Sequence, residues 1–256
     1  MQNRTEVMAR GIDVSHHQGR IDWPKVQSSG ISFAFMKATE GSTFKDPRFA
    51  RNAAEAAAVG IAIGAYHFMR AKSPEEAARE ADHFVRTLEE AGPERFTLPP
   101  VLDVETNDGG LKPAQLSLLC RIWLERVQAA LGKTPLLYTY LHFARTALDD
   151  TLADFPLWFA YYNDSCPPDC RGWTRWSFWQ HSDKGTVPGI SGPVDLNVYE
   201  GTVADLTGYK LKEEDANKII QLLQASWSMI QDYPEARDEI HRLADELRLA
   251  SGQPVA

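Results

Sequence analysis

The residues of this chain best suited to chemistry are two carboxylates, Asp103 and Glu105, in the segment Leu102-Asp103-Val104-Glu105. A mostly apolar run precedes them and Asn-Asp-Gly-Gly follows at 107–110, which is typical of a buried strand ending in a loop. Because positions i and i+2 of a strand face the same way, both carboxylates should project together. Like charges in a partly dry pocket raise a carboxyl pKa, which gives the proton donor that glycoside hydrolysis needs. So short a motif also occurs in solvated loops and establishes no site alone.

The elements that would position these carboxylates alternate between strand and helix. Helical patterns at 47–59, 74–90 and 113–131 separate the early strands, and the helical signal fades after residue 150. Such alternation predicts a parallel sheet covered by helices, and eight strands would close a barrel. We therefore predict the α/β class, with an irregular (β/α) TIM-like barrel at 9–208 that has eight strands and fewer than eight helices. The strand signals lie at 11–14, 31–36, 61–66, 98–103, 135–139, 157–160, 176–179 and 194–196.

Polar and aromatic residues gather at the predicted strand ends, where barrels of this type have their active sites. Unpaired buried charge is costly, so a protein without a site has no reason to collect acids at one mouth. Aromatic rings between carboxylates suit a sugar chain, because rings stack on sugar C–H faces while acids bind hydroxyls. The candidates are Asp13, Glu40, Asp103, Glu105 and Asp195 among the acids, with Tyr66, Tyr138, Tyr162 and Gln180 beside them.

Six segments carry a resemblance to a known family, and it spans residues 9 to 205. Their types and order resemble glycoside hydrolase family 25, the Chalaropsis-type lysozymes or N-acetylmuramidases of fungi, bacteria and phages. The resemblance implies hydrolysis of the β-1,4 bond between N-acetylmuramic acid and N-acetylglucosamine in peptidoglycan, without cofactor or metal. It also implies a flattened barrel. The segments are Gly11-Ile-Asp-Val-Ser15, Lys37-Ala-Thr-Glu-Gly41, Gly64-Ala-Tyr-His-Phe68, Leu102-Asp-Val-Glu105, Leu157-Trp-Phe-Ala160 and Val194-Asp-Leu-Asn197.

The resemblance also implies roles for single residues. Glu105 matches the general acid, which then acts as base toward water, and Asp103 would raise its pKa and hold it. Asp195 would orient or stabilise the 2-acetamido group or the oxocarbenium charge, and Asp13 would form the floor. Substrate would bind to Glu40, Tyr66, Tyr138, Tyr162 and Gln180. A direct two-carboxylate mechanism, retaining or inverting according to the carboxyl separation, stays open. The resemblance favours substrate assistance with retention.

Two other functions compete with the muramidase. A chitinase-like hydrolase of acetamido sugars needs a further Asp two residues before Asp103, where this chain has Val101. An inactive glycan-binding barrel typically lacks the acid, which is present here. The spacing of His16, His17 and His181 matches no metal-ligand pattern, so no metal is expected. Cys166 and Cys170 are equally compatible with a disulfide and with free thiols.

Composition limits the partners and the location. The 256 residues carry a formal charge of −8, which gives no basic surface for nucleic acid. No apolar run is long enough for a transmembrane helix, so membrane insertion is not expected. Residues 1–10 lack the apolar run of a signal peptide. An enzyme acting on the outer or periplasmic cell wall would therefore be exported through a holin or a secretion system, or would have lost a leader.

The C-terminal residues 211–250 predict a helical extension, with a break near Tyr233-Pro234. This extension either packs on the barrel or is a small module that contacts the cell wall or a partner. Its first helix has an apolar face made of Ile219, Ile220, Leu222, Leu223, Trp227 and Ile230.

Overall fold

The structure is a computed structural model that describes residues 1–208, 212–229, 233–251 and 253–254. It divides into two compact units, Met1–Thr207 and Gly208–Ala256. The first unit contains every strand found in the described residues.

Nine strands form one sheet, and eight of them close a barrel. The first strand pairs with the second on one side and with the ninth on the other, which closes the ring. The third is a two-residue hairpin arm on the second strand. The predicted eight-stranded barrel is confirmed. The strands are β1 Arg10–Val14, β2 Phe33–Glu40, β3 Phe44–Lys45, β4 Ala62–Phe68, β5 Val101–Asp103, β6 Leu136–Tyr140, β7 Leu157–Ala160, β8 Phe178–Gly185 and β9 Val194–Tyr199.

The last strand runs against the others. The neighbours from β1 through β2 and β4 to β8 are parallel, whereas β9 is antiparallel to both β8 and β1. The expectation of a parallel sheet is therefore wrong for β9. A parallel neighbour needs a crossover of a dozen residues or more, whereas the short segment 186–193 suffices for an antiparallel return. As a consequence, the amino end of β9 lies at the barrel mouth formed by the carboxyl ends of the other strands.

Six α-helices accompany the barrel, and all of residues 1–207 are described, so the prediction of fewer than eight is confirmed. The first five helices follow β1, the β2–β3 arm, β4, β5 and β6, and 157–199 contains no α-helix. Ser73 caps the third helix by accepting a hydrogen bond from the Glu76 amide, and Gly132 ends the fourth with φ +67°. The helices are α1 Trp23–Ser28, α2 Phe49–Ala58, α3 Pro74–Ala91, α4 Pro113–Leu131, α5 Leu141–Ala147 and α6 Val203–Thr207.

Large aromatic side chains fill the interior of the barrel beneath its mouth. Phe33 and Phe35 alternate along β2 and are fully buried. The ring of Phe35 stacks on Trp158 with centroids 4.6 Å apart and meets the edge of Phe178 at 5.0 Å. The next residue of β2 in this alternation is Lys37, so the interior changes from apolar to charged at the level of the mouth.

Gly64 leaves the space that the ring of Phe35 occupies. A Cβ atom on Gly64 would lie 2.4 Å from Phe35 Cε1 and 3.0 Å from Leu98 Cβ. We expect Gly64→Ala to lower the free energy of unfolding by about 1–3 kcal/mol, as overpacking does, in urea denaturation. If the ring is the obstacle, adding Phe35→Leu should give a loss smaller than the sum of the two single losses. Additive losses would show that Phe35 is not the obstacle.

The second unit contains two helices, α7 Glu213–Met229 and α8 Pro234–Ala250, which pack on each other. The predicted break is confirmed, since Pro234 begins α8. Of the predicted apolar face, Ile220 is buried and Leu222 is 69% exposed, while Ile230 lies outside the described residues. Within the described residues, the helices are all too short or too polar to cross a bilayer. Cys166 and Cys170 are free thiols in this structure.

Candidate active site

A cavity of about 300 Å³ opens at the mouth of the barrel. Every predicted site residue except Glu40 lines it. A larger groove of about 810 Å³ lies beside α1 and α2, but its acids are already paired with surface cations, Asp22 with Lys25 and Glu55 with Arg51. The cavity at the mouth is therefore the candidate site. Its lining consists of Asp13, Ser15, His17, Lys37, Tyr66, Phe68, Asp103, Glu105, Tyr138, Trp158, Tyr162, Gln180, Asp183 and Asp195.

Asp13 at the end of β1 is the centre of a buried hydrogen-bond network. It faces Asp195 across the antiparallel β1–β9 pair. Its Oδ2 accepts hydrogen bonds from Gln180 Nε2 and Asn197 Nδ2, each at 2.8 Å. Asn197 Oδ1 in turn accepts one from Trp158 Nε1 at 2.8 Å. Each amide is thereby oriented with its NH₂ group toward the carboxylate, which anchors the floor of the cavity to four strands.

Gln180 connects this floor to two tyrosines. Its Oε1 accepts hydrogen bonds from the hydroxyl groups of Tyr138 at 2.9 Å and Tyr162 at 2.7 Å. Tyr138 is buried in the wall, whereas Tyr162 is 53% exposed at the rim. The exposed ring of Tyr162 offers a flat apolar face beside the carboxylates.

Asp103 and Glu105 lie together at the end of β5, as the sequence predicts. Asp103 is 5% exposed and Glu105 is partly buried. The segment that carries Glu105 is fixed to β6, because the Val104 amide donates to the Tyr138 carbonyl at 3.0 Å and Thr139 Oγ1 donates to the Val104 carbonyl at 2.9 Å. Both carboxyl groups line the cavity, and each influences the pKa of the other.

Burial makes this pair hold its proton. Desolvation is the largest cause of a raised pKa at both carboxyls, and the charge of Glu105 is the next cause at Asp103. Lys37 acts in the opposite direction on both. Within the described residues, Asp103 Oδ1 is buried without a hydrogen-bond partner. The pair therefore keeps a proton to a higher pH than isolated carboxyl groups would.

Asp195 is the acid on the opposite strand of the mouth. Burial and then the charge of Asp13 raise its pKa to about 8. Burial likewise raises the pKa of Asp13, and it raises those of Tyr66 and Tyr138 well above their ordinary value, so both phenols are neutral. At neutral pH the cavity therefore holds several carboxyl groups of which only some are ionised.

The raised pKa of Asp195 predicts that stability falls as the pH rises. The unfolded carboxyl loses its proton near its ordinary pKa of 3.8, whereas the folded one keeps it until about 8. Between these values the folded protein binds more protons, so this stabilising contribution is complete below pH 4 and is lost toward pH 8. We expect a lower melting temperature at pH 8 than at pH 5. The difference should be smaller in Asp195→Asn, which cannot titrate.

Asp164→Asn is the matched control for this experiment, because the Asp164 side chain is fully exposed. It should keep the pH dependence of the wild type. An undiminished pH dependence in Asp195→Asn would contradict the role given to Asp195.

Glu40 lies beside the cavity rather than in its lining. Its Oε2 accepts a hydrogen bond from Lys37 Nζ at 2.5 Å, and its Oε1 accepts from Arg70 Nε at 2.9 Å. Burial acts to raise its pKa, but these two cations lower it overall, so Glu40 is ionised. Both of its oxygens are thus engaged by protein groups.

The sequence analysis did not single out Asn197, Trp158, Lys37 and Asp183 as site residues. Asn197 and Lys37 belong to segments that carry the family resemblance, and Trp158 lies at an inward position of β7. Alternation along those strands was an available signal for all three. Asp183 is exposed on β8 and carries no such signal.

Two of the histidines, His16 and His67, make structural contacts. His16 Nδ1 lies 2.7 Å from Asp46 Oδ2. His67 is buried behind β4 between Thr39 and Glu80, with ring nitrogens 2.7 and 2.9 Å from their oxygens. Across 1–208, 212–229, 233–251 and 253–254, no group of His, Cys, Asp or Glu has the arrangement of a metal site.

Comparison with known proteins agrees with this geometry. Residues 12–190 match the model of glycosyl hydrolases family 25. The chain is 39% identical over 205 residues to Lysozyme M1 of Streptomyces globisporus, which covers 77% of this chain and 69% of that protein. It also superposes on the bacterial lysozyme from Streptomyces coelicolor with a TM-score of 0.71 and 36% identity, covering 80% of this chain and 97% of the other. The spore cortex lytic enzyme SleM of Clostridium perfringens gives a TM-score of 0.74 at 30% identity, covering 80% and 71%. This chain belongs to glycosyl hydrolase family 25.

Proposed function

We propose that this protein is a peptidoglycan hydrolase of the lysozyme type, an N-acetylmuramidase. It cleaves the β-1,4 bond between N-acetylmuramic acid and N-acetylglucosamine. The observation that carries the proposal is the convergence of Asp103 and Glu105 in the barrel mouth, opposite Asp195. Membership of the family and the lysozyme names of similar proteins support it.

Glu105 is the general acid and base of this mechanism. It donates a proton to the glycosidic oxygen as the bond to the sugar C1 breaks, and later accepts one from the attacking water. Asp103 is the more deeply buried member of the pair and keeps the second carboxyl beside it. Asp103 therefore holds Glu105 in position and raises its pKa.

Asp195 and Asp13 act on the other side of the scissile bond. In the substrate-assisted mechanism that we favour, the oxygen of the 2-acetamido group attacks C1, and water then opens the ring that results, with overall retention. Asp195 orients the acetamido group and stabilises the charge that develops there. Asp13 holds Asp195 and the two amides of the floor in place.

The glycan strand binds along the tyrosines of the wall and rim. The exposed face of Tyr162 stacks on a sugar ring, and Tyr66 and Tyr138 present neutral hydroxyl-bearing rings inside the cavity. Gln180 fixes the hydroxyl groups of Tyr138 and Tyr162 relative to the floor of the cavity. Glu40 acts on the site indirectly, because it holds the side chain of Lys37.

Because the substrate is peptidoglycan, the protein acts at the cell wall.

The second unit presents exposed apolar side chains on α7, including Leu222 and Met229. We propose that α7 and α8 contact the cell wall or a partner protein. A variant ending at Gly208 should then hydrolyse soluble muropeptide oligomers like the full chain but bind whole cell walls less.

Mass spectrometry of purified peptidoglycan digested by the protein tests the activity. Fragments that end in reducing N-acetylmuramic acid are expected, and heat-denatured protein is the control. Reducing N-acetylglucosamine would make the protein a glucosaminidase on the same scaffold. Intact strands from several wall types, together with retained glycan binding, would make it a glycan-binding barrel and overturn the proposal.

A further inference from the structure

Lys37 differs from every other residue in the cavity lining. All lining residues lie in the described part of the chain, and among them it alone is a lysine or arginine, whereas five are Asp or Glu. Its side chain is only 12% exposed. It follows Phe33 and Phe35 at the inward positions of β2, so the strand aims its ammonium group into the mouth.

The ammonium group of Lys37 is held in one place. Glu40 Oε2 accepts from Nζ at 2.5 Å, and the rings of Phe68 and Phe44 lie 5.0 and 5.7 Å from the same nitrogen. Arg70 fixes Glu40 from the other side, with Nη2 2.8 Å from Oε1. These contacts are more than a flexible lysine needs for solubility, and they indicate that the position of the charge matters.

We propose that Lys37 is a positioning residue whose ammonium group supplies the compensating positive charge for the Asp103–Glu105 pair. Glu40, in this proposal, sets the position of that charge rather than contacting the glycan. The inference rests on the proposed function of the same pair. It adds two residues that act through Glu105 without touching the reacting atoms.

The charges around the pair show why a cation is needed there. Burial favours the neutral form of both carboxyls, and the nearby acids favour it further. The positive charge of Lys37 favours the ionised form of both Asp103 and Glu105. The titratable groups that face the pair from the surrounding elements are Asp13 from β1, Tyr66 from β4, Tyr138 from β6, Asp183 from β8, Asp195 from β9, and His17 and Tyr162 from the segments that follow β1 and β7.

Catalysis requires the pair to hold one proton rather than two. Glu105 donates a proton in the first step and must be free to accept one from water in the second. If Lys37 were neutral, the second carboxyl would keep its proton to a higher pH. The protein would then start from a doubly protonated pair at pH values where the wild type is active.

The test compares the pH dependence of kcat/KM on soluble peptidoglycan fragments for variants that remove, release or keep the positive charge. Lys37→Met should move both limbs of the profile upward by about one pH unit, as loss of a nearby opposite charge does. Glu40→Gln weakens the hold on the ammonium group and should therefore move the limbs in the same direction, by less. Lys37→Arg keeps the charge and should restore a profile close to that of the wild type.

Lys45→Met is the matched control, since Lys45 lies on the adjacent β3, pairs with the exposed Glu90 and is absent from the cavity lining. Its profile should equal that of the wild type. Equal losses at all pH values in Lys37→Met, with unmoved limbs, would reduce Lys37 to a structural residue and overturn the inference. Limbs that move downward or do not move in Glu40→Gln would overturn the part given to Glu40.

A second measurement separates this inference from the proposed function. Carbon NMR of protein labelled at the Asp and Glu carboxyl groups follows the titration of the pair without any substrate. The midpoints for Asp103 and Glu105 should rise by about one pH unit in Lys37→Met, in protein that unfolds cooperatively like the wild type. Unchanged midpoints overturn the inference even if peptidoglycan is cleaved. Shifted midpoints with no cleavage by the wild type overturn only the muramidase proposal.

Discussion

Replacing Glu105 by glutamine should slow the hydrolysis of peptidoglycan by roughly 10²–10⁴-fold, the range that a general acid contributes. The amide has nearly the shape of the acid but cannot deliver a proton to the leaving oxygen or accept one from water. Because the rest of the cavity lining is unchanged, glycan binding should persist. Initial rates of reducing-end release give the first quantity, and calorimetric titration with muropeptide oligomers gives the second.

A leaving group that needs no proton distinguishes this role from a general loss of activity. With an aryl glycoside of the disaccharide, whose phenolate departs unaided, the first step of Glu105→Gln should recover much of its rate. Glu125→Gln is the control, since Glu125 is exposed on α4 and paired with Arg121. An equal loss on aryl and natural substrates would remove Glu105 from the role of proton donor.

Replacing Asp195 by asparagine should lower kcat by roughly 10²–10³-fold, the cost of removing one group that stabilises developing charge. Here the losses on the natural substrate and on the aryl glycoside should be equal, since the group acts on the acetamido side and not on the leaving oxygen. Measuring kcat on both substrates for both variants gives a two-by-two comparison.

The alternative is that Asp195 is the proton donor. Its pKa of about 8 is compatible with this role, because a carboxyl that is protonated at neutral pH can donate a proton to the leaving oxygen. If Asp195→Asn recovers on the aryl glycoside and Glu105→Gln does not, the two roles are exchanged. Asp164→Asn, altered at a fully exposed side chain, should leave both rates unchanged.

Much of the fold could be predicted from the sequence because its signals are local. Prolines and glycines punctuate the chain, and the segment 113–131 begins and ends as expected. The direction of β9 was not predictable from its own residues, since a strand with the pattern Val-Asp-Leu-Asn fits either direction. Only the length of its connection carries that information, and the sequence analysis did not weigh it.

The site was predicted as far as strand alternation holds. Asp103, Tyr66 and Tyr138 lie inside the mouth because they occupy inward positions of regular strands. On β2 the register shifts between Lys37 and Thr39, so positions beyond the irregularity no longer follow simple alternation. Lys37 and Glu40 consequently come into contact, although a regular strand would direct residues three apart to opposite faces.

The amides of the floor depend on partners that are distant in sequence. Asn197 is 184 residues from Asp13, and Gln180 is 167 residues from it. An amide has no charge pattern of its own to reveal such a partner. The specific pairing therefore came from the structure, while the presence of a polar site at the strand ends came from the sequence.

The place of β9 as the last strand of the barrel determines when during synthesis the cavity at the mouth is completed. Asp13 leaves the ribosome about 180 residues before Asn197 and Asp195, which complete its surroundings. Contacts of such long sequence separation form late, because the loop between them must first be closed. A nascent or prematurely terminated chain that lacks β9 has the acid pair of β5 without its opposing strand. The lining of the barrel mouth is thus complete only once the final strand of the barrel has been made.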